Sequence, residues 1–153
     1  MFLFYSKLKD LIVVKNNQYQ NASCLELWGT EFEFEQSIGN WIKFNTNFSY
    51  VHTKEKQTDL KLPQIANILG TFGIMYVPHR NCNLALLNHY VGERERESQD
   101  FRDDFDSYIT TDLTINIFDI GYPGLNFKAG LKNIFDSDVR YPAPLDKDLF
   151  AKH

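Results

Sequence analysis

Three glutamates, Glu31, Glu33 and Glu35, recur at every second residue. On a strand that spacing puts all three carboxylates on one face. Paired carboxylates serve glycoside hydrolysis as acid and base, but no other residue here marks such a pair. The run Glu93-Arg94-Glu95-Arg96-Glu97 alternates in sign, a pattern of solvent-exposed, mutually screened charge. Arginine grips carboxylates and other anions well, so Arg94 and Arg96 are candidate ligand contacts. His89 falls on the polar phase of its segment and is a third candidate. The histidines His52, His79, His89 and His153 lie in separate segments without ligand spacing, so no metal site is expected. Cys24 and Cys82 are too few for a four-ligand zinc site, and no disulfide between them is argued without geometry. Asp103, Asp104 and Asp106 lack the glycine and spacing of a calcium loop. There is no Ser-His-Asp order, phosphate loop or dinucleotide fingerprint. The expectation from these residues is no catalytic residue and no cofactor.

The composition narrows the setting for these residues. The 153 residues carry 16 basic and 20 acidic side chains, a net charge of −4 that argues against a general nucleic-acid partner. Hydrophobic residues at 43% and charged ones at 24% exclude a disordered chain. Aromatic content is high, with 13 Phe, 8 Tyr and 2 Trp. No apolar run approaches the roughly 20 residues of a membrane-spanning helix. Residues 1–5 are apolar without a basic region ahead of them, which is not the form of a secretory signal.

Period two dominates the chain. In 41–52, Ile42, Phe44, Thr46, Phe48 and Tyr50 alternate with Lys43, Asn45, Asn47 and Ser49. Such alternation puts the apolar set on one face of a strand and the polar set on the other. The pattern recurs in 30–36, 67–77, 83–91, 108–118 and 125–133, and less regularly in 1–14. The expectation is all-β, with about seven long strands and no helix.

The connections sort by length. Short turns are expected at 37–40, 78–81 and 119–124, and longer polar connections at 15–21, 53–63 and 92–106. Strict alternation puts all short turns of an up-and-down meander on one rim and all long loops on the other. That is the plan of an outer-membrane barrel. Segments 41–52 and 108–118 match the 9–11 tilted residues that cross the hydrocarbon layer. Trp28, Trp41, Tyr50, Tyr76, Tyr90, Tyr108 and Tyr122 lie near segment ends, where interfacial aromatic girdles belong. Glu31, Glu33 and Glu35 suit a wet lumen and would be ruinous in a dry sandwich core.

The order of motifs resembles the C-terminal barrel region of TonB-dependent outer-membrane receptors. Carrying it are Leu3-Phe4-Tyr5 with Lys9-Asp10-Leu11-Ile12, then Asn47-Phe48-Ser49-Tyr50-Val51-His52-Thr53-Lys54. Leu62-Pro63 with Ala66-Asn67 and Tyr90-Val91-Gly92-Glu93-Arg94 follow. Gly130-Leu131-Lys132-Asn133-Ile134-Phe135-Asp136, with Tyr141-Pro142 downstream, is the most specific block. The resemblance implies an open, incomplete part of a transmembrane barrel over 1–153, located in the outer membrane. It also implies uptake of ferric siderophore, haem or similar cargo. The implied partners are the remaining strands and plug of a parent receptor, outer-membrane lipid, and TonB acting through the plug region. The family's plug and TonB box have no counterpart in these residues, and its barrel has about 22 strands. The expectation is therefore a fragment, not transport-competent alone, whose last strand is missing or degenerate. The competing reading is a soluble lipocalin-like barrel for a small apolar ligand, resting on Gly39-Asn40-Trp41.

Overall fold

The computed structural model describes residues 1–15, 18–56, 60–97, 100–142 and 149–151. Seven strands follow the chain: β1 Phe2–Lys15, β2 Gln18–Ile38, β3 Ile42–Glu55, β4 Ile68–His79, β5 Cys82–Val91, β6 Tyr108–Ile117 and β7 Phe127–Leu131. They form one antiparallel sheet in the order β1-β2-β3-β4-β5-β6-β7, with β1 and β7 as open edges. Each strand pairs with its sequence neighbour. The connections β2–β3, β4–β5 and β6–β7 therefore share one rim, and β1–β2, β3–β4 and β5–β6 share the other. The turns expected at 37–40, 78–81 and 119–124 share a rim, but length does not sort all the connections: only residues 16 and 17 separate β1 from β2 on the long-loop rim, fewer than separate β6 from β7 on the other.

Residues directly opposite in an antiparallel pair project to the same face, so the register defines two faces. Phe32 opposes Phe48, Ile42 opposes Tyr76, and Phe44 opposes Ile74. Thr46 opposes Phe72, and Ile74 opposes Leu86. Ile115 stands opposite both Leu84 and Ala129, and Phe127 opposite Ile117. Phe32, Phe34, Ile42, Phe44, Phe48, Phe72, Ile115, Phe127 and Leu131 thus lie on one continuous face. The other face carries Glu31, Glu33, Glu35, Lys43, Asn45, Asn47, Thr71, Asn83, His89, Asp112, Asn116 and Lys128.

Among the described residues no second layer covers the apolar face: Phe32, Phe34, Phe48 and Phe72 are all exposed. The buried residues gather where long loops return to the sheet: Leu25, Thr53, Ala66, Arg94, Phe105, Thr111, Asn133 and Val139. A soluble domain would bury its strand face and leave its loops wet. Here that relation is reversed.

Four local differences from the sequence reading have physical causes. The connection expected at 15–21 is largely strand, since β1 and β2 pair out to Lys15 opposite Gln18. The run from Leu11 to Val14 contains no glycine or proline to stop the ladder. Residues 16 and 17 of that connection lie outside the described residues. β4 continues through Pro78 to His79, because a register shift between Tyr76 and His79 accommodates a residue that cannot donate to the ladder. β7 is shorter than the expected 125–133, and Asn133, with φ at 48°, turns the chain out of the sheet. Beyond it, β8 Val139–Tyr141 and β9 Leu149–Ala151 form a separate two-stranded sheet, so among the described residues no eighth strand joins β7.

The candidate cargo-facing rim

The long-loop rim is an interlocked structure. The 56–67 connection bonds to the end of β3 through Glu55 N–H to Leu60 O at 2.9 Å and Leu62 N–H to Thr53 Oγ1 at 3.0 Å. It also reaches the β5–β6 loop: Gln64 N–H donates to Glu95 O at 2.7 Å, and Lys61 Nζ donates to Glu95 Oε1 at 2.7 Å. The Glu95 carboxylate holds the Lys61 ammonium above its ordinary range by that hydrogen bond.

Phe105 is the centre of the β5–β6 loop. Its backbone exchanges two hydrogen bonds with Arg94, and its ring is 2% exposed. The Arg94 guanidinium lies 4.9 Å from the ring centroid and the Arg96 guanidinium 3.9 Å, so two cations stack on one ring. Arg94 also lies 5.8 Å from the Tyr108 ring and donates from Nη2 to Arg140 O at 2.6 Å. The buried Arg94 Nε has no hydrogen-bond partner among the described residues. Arg96 donates from Nε to Asp103 O at 2.7 Å and pairs with Asp100 at 3.3 Å. Asp100 in turn accepts from Arg102 at 2.6 and 2.8 Å, and these bonds hold its carboxyl well below the usual carboxylate range.

Between the two loops lies a cavity of about 410 Å³ lined by Lys61, Glu93, Arg94, Asp103, Asp104 and Asp106, among others. The structure thus brings Arg94 and the Asp103–Asp106 cluster to one polar pocket. Arg96 is turned inward onto Phe105. His89 sits apart, on the polar face between Thr71 of β4 and Thr110 of β6. Among the described residues no three His, Cys, Asp or Glu side chains converge to hold a metal ion. Cys24 is buried on β2 and Cys82 half-buried on β5, both as free thiols. Sequence reading missed Phe105 and Lys61. The loop offers two phenylalanines, Phe101 and Phe105, and only the fold shows that Phe105 is the buried one; nothing local marked Lys61.

The opposite, apolar face carries two aromatic pairs. Trp41 meets Tyr76 edge-on at 6.4 Å near the short-turn rim. Trp28 meets Tyr50 at 5.8 Å and His52 at 4.9 Å toward the long-loop rim. From Trp41 to Tyr50 is nine residues, about 30 Å along a strand. At a barrel's tilt this becomes about 23 Å, close to the apolar band of about 25 Å between the girdles of a membrane barrel.

An all-next-neighbour antiparallel sheet, apolar on one side between two aromatic belts and polar on the other, is the wall of a transmembrane β-barrel. The chain shares its fold with part of the solved structures of two outer-membrane receptors and transporters. The ferric enterobactin receptor PfeA of Pseudomonas aeruginosa, in a mutant form, superposes with a TM-score of 0.72 at 17% identity, over 90% of this chain and 23% of that one. The copper transporter OprC superposes at 0.77 and 17% identity, over 98% of this chain and 26% of that one. A second mutant of PfeA, in complex with enterobactin, gives 0.71 at 16% identity, over 90% and 23%. The chain spans about a quarter of the length of these structures. No protein-family model matches the chain, and no curated protein matches it in sequence.

Proposed function

We propose that this chain is part of the barrel wall of an outer-membrane receptor that takes up a ferric siderophore, haem or similar cargo. Its polar face lines the lumen and its long-loop rim faces outward. The observation that carries this reading is the single open sheet whose apolar face is bracketed by Trp41–Tyr76 and Trp28–Tyr50–His52. His89 is a lumen-side contact for passing cargo. Arg94 lines the loop pocket, and Arg96, stacked on Phe105, holds the loop from behind. The partners are outer-membrane lipid, the remaining strands and plug of the receptor, and TonB acting through the plug.

Seven strands cannot enclose a lumen, since the smallest closed membrane barrels have eight. Supplied alone to a receptor-deficient strain, the chain is expected to support no growth on ferric siderophore. Its distribution after detergent-free lysis tests the membrane reading itself. The expected result is recovery in membranes or inclusion bodies. A clean soluble monomer would overturn the proposal and favour the lipocalin-like alternative.

A further inference from the structure

The cavity between the two long loops carries opposite charges at its two ends. Arg94, only 7% exposed, marks the inner end. Glu93, Asp103 and Asp106 line the same cavity from exposed positions and mark its mouth.

The inner cation is under-compensated. A guanidinium carries five N–H donors. Among the described residues the Arg94 side chain makes one hydrogen bond, to Arg140 O, and pairs with no carboxylate. Its Nε is buried without a hydrogen-bond partner. Its remaining contacts are the rings of Phe105 and Tyr108. A buried charge is costly unless an opposite charge or a full set of hydrogen bonds accompanies it. The described residues supply neither, and the cavity beside Arg94 is where an anionic group can.

The mouth has the converse deficit. Asp104 accepts the Arg96 N–H at 2.7 Å, and Glu95 holds Lys61 at 2.7 Å. The carboxylates of Glu93, Asp103 and Asp106 have no such partner among the described residues. No three of the acids there converge to hold a metal ion, which leaves an organic ammonium to answer them. A purely anionic ligand is repelled at the mouth, and a purely cationic one leaves Arg94 bare. A ligand with both charges meets both needs. The cavity, about 410 Å³, is within the roughly 300–1,000 Å³ of small-molecule sites.

Resting on the reading that this rim receives incoming cargo, we propose that the part of the cargo entering the cavity is the zwitterion of a short peptide. Its carboxylate lies inward at Arg94, and its ammonium lies outward at Glu93, Asp103 and Asp106.

Trialanine serves as the probe. The full chain is refolded from urea into detergent micelles and dialysed against radiolabelled trialanine at pH 7. N-acetyl-trialanine and trialanine amide compete. Each lacks one charge, so each should compete about tenfold more weakly than trialanine itself. Asp103→Asn/Asp106→Asn should make the N-acetyl form nearly an equal competitor while the amide stays weak. Arg94→Gln should do the reverse. Should Arg94→Gln lose all binding, the amide decides in the parent chain: a tenfold weaker amide supports the inward carboxylate, and an equal one overturns it. Equal competition by the amide assigns a plain cation site, and equal competition by the N-acetyl form a plain anion site; either overturns the zwitterion. An unchanged preference for the free amine in the aspartate variant overturns the placement of the ammonium. No binding of trialanine overturns the peptide site, and recovery of the chain in membranes after lysis then leaves the barrel-wall reading standing. A soluble monomer that binds trialanine with both preferences keeps the site and overturns the barrel wall.

Discussion

Arg94 Nη2 donates to the carbonyl oxygen of Arg140 at 2.6 Å, which ties the β5–β6 loop to the segment that follows β7. The same guanidinium stacks on Phe105 and lies against Tyr108. One side chain thus holds three parts of the rim, and the loop's shape depends on it more than on any single backbone bond.

Arg94→Ala should free the loop. It removes a charged hydrogen bond and a cation–π contact, together about 2–4 kcal/mol of local stability. Arg94→Lys keeps the charge but lacks the planar fork and should recover less than half of that. Limited proteolysis within 92–107 reads this directly. Cleavage should be fastest for alanine, intermediate for lysine and slowest for the parent chain. Equal rates for all three would remove Arg94 from its structural role.

Neighbouring residues on β3 face opposite media, and substitution should reveal it. Phe48→Arg puts a charge on the lipid side within the apolar band, at a cost of about 2–4 kcal/mol near the midplane. Asn47→Arg puts the same charge on the polar face and should change stability by less than about 0.5 kcal/mol. Urea titration of the vesicle-inserted chains measures the difference. A larger loss at Asn47 would invert the assignment of the two faces.

That face assignment was legible in the sequence because period two is a local property. Ile42, Phe44 and Phe48 against Lys43, Asn45 and Asn47 require no knowledge of the partner strand. The common rim of the turns at 37–40, 78–81 and 119–124 was legible for the same reason, whereas the short β1–β2 connection was not. What escaped depended on register. Lys7, Glu26 and Lys56 converge only because β1, β2 and β3 pair at particular offsets. The union of Arg94 with Phe105 spans a loop whose charge pattern looked solvated. A guanidinium remains an ion when covered, and only the fold shows that an aromatic ring covers it. The extended β1–β2 hairpin escaped because amide-rich residues such as Gln18 and Asn21 read as loop when no neighbouring strand is known.

Two charged groups of the rim should respond to pH in opposite directions. The Asp100 carboxyl is held below its ordinary 3.8 by the Arg102 bonds first, with Arg96 adding to them. Its contribution to loop order is present above that ordinary value and is lost as pH falls through the lower folded value. Lys61 is raised above its ordinary 10.5 by Glu95. Its contribution is complete below 10.5 and is lost as pH rises through the higher folded value. Protease resistance of the loops should therefore stay flat from pH 5 to 9. Asp100→Asn should lower it across that whole window, whereas Lys61→Met should lower it only slightly, because this exposed pair contributes at most about 1 kcal/mol. A step in resistance near neutral pH would contradict both assignments.

Asn133 closes the turn that ends β7, and its variants should rank in a definite order. Its φ of 48° is left-handed, its Nδ2 donates to Ser137 O at 3.0 Å, and its Oδ1 accepts from Ser137 N–H at 3.1 Å. Its own N–H donates to Asp112 Oδ1 at 3.0 Å, which anchors the turn to β6. Asn133→Gly keeps the backbone conformation and loses the two side-chain bonds, about 1–3 kcal/mol. Asn133→Ala loses the same bonds and adds about 1 kcal/mol of left-handed strain. Asn133→Asp keeps the acceptor but cannot donate to the Ser137 carbonyl, so it should fall between the parent chain and glycine. Urea midpoints of the vesicle-inserted chain should therefore descend from Asn to Asp to Gly to Ala. An alanine variant as stable as the glycine one would show that the turn is set by its flanking strands, and that Asn133 does not determine where β7 stops.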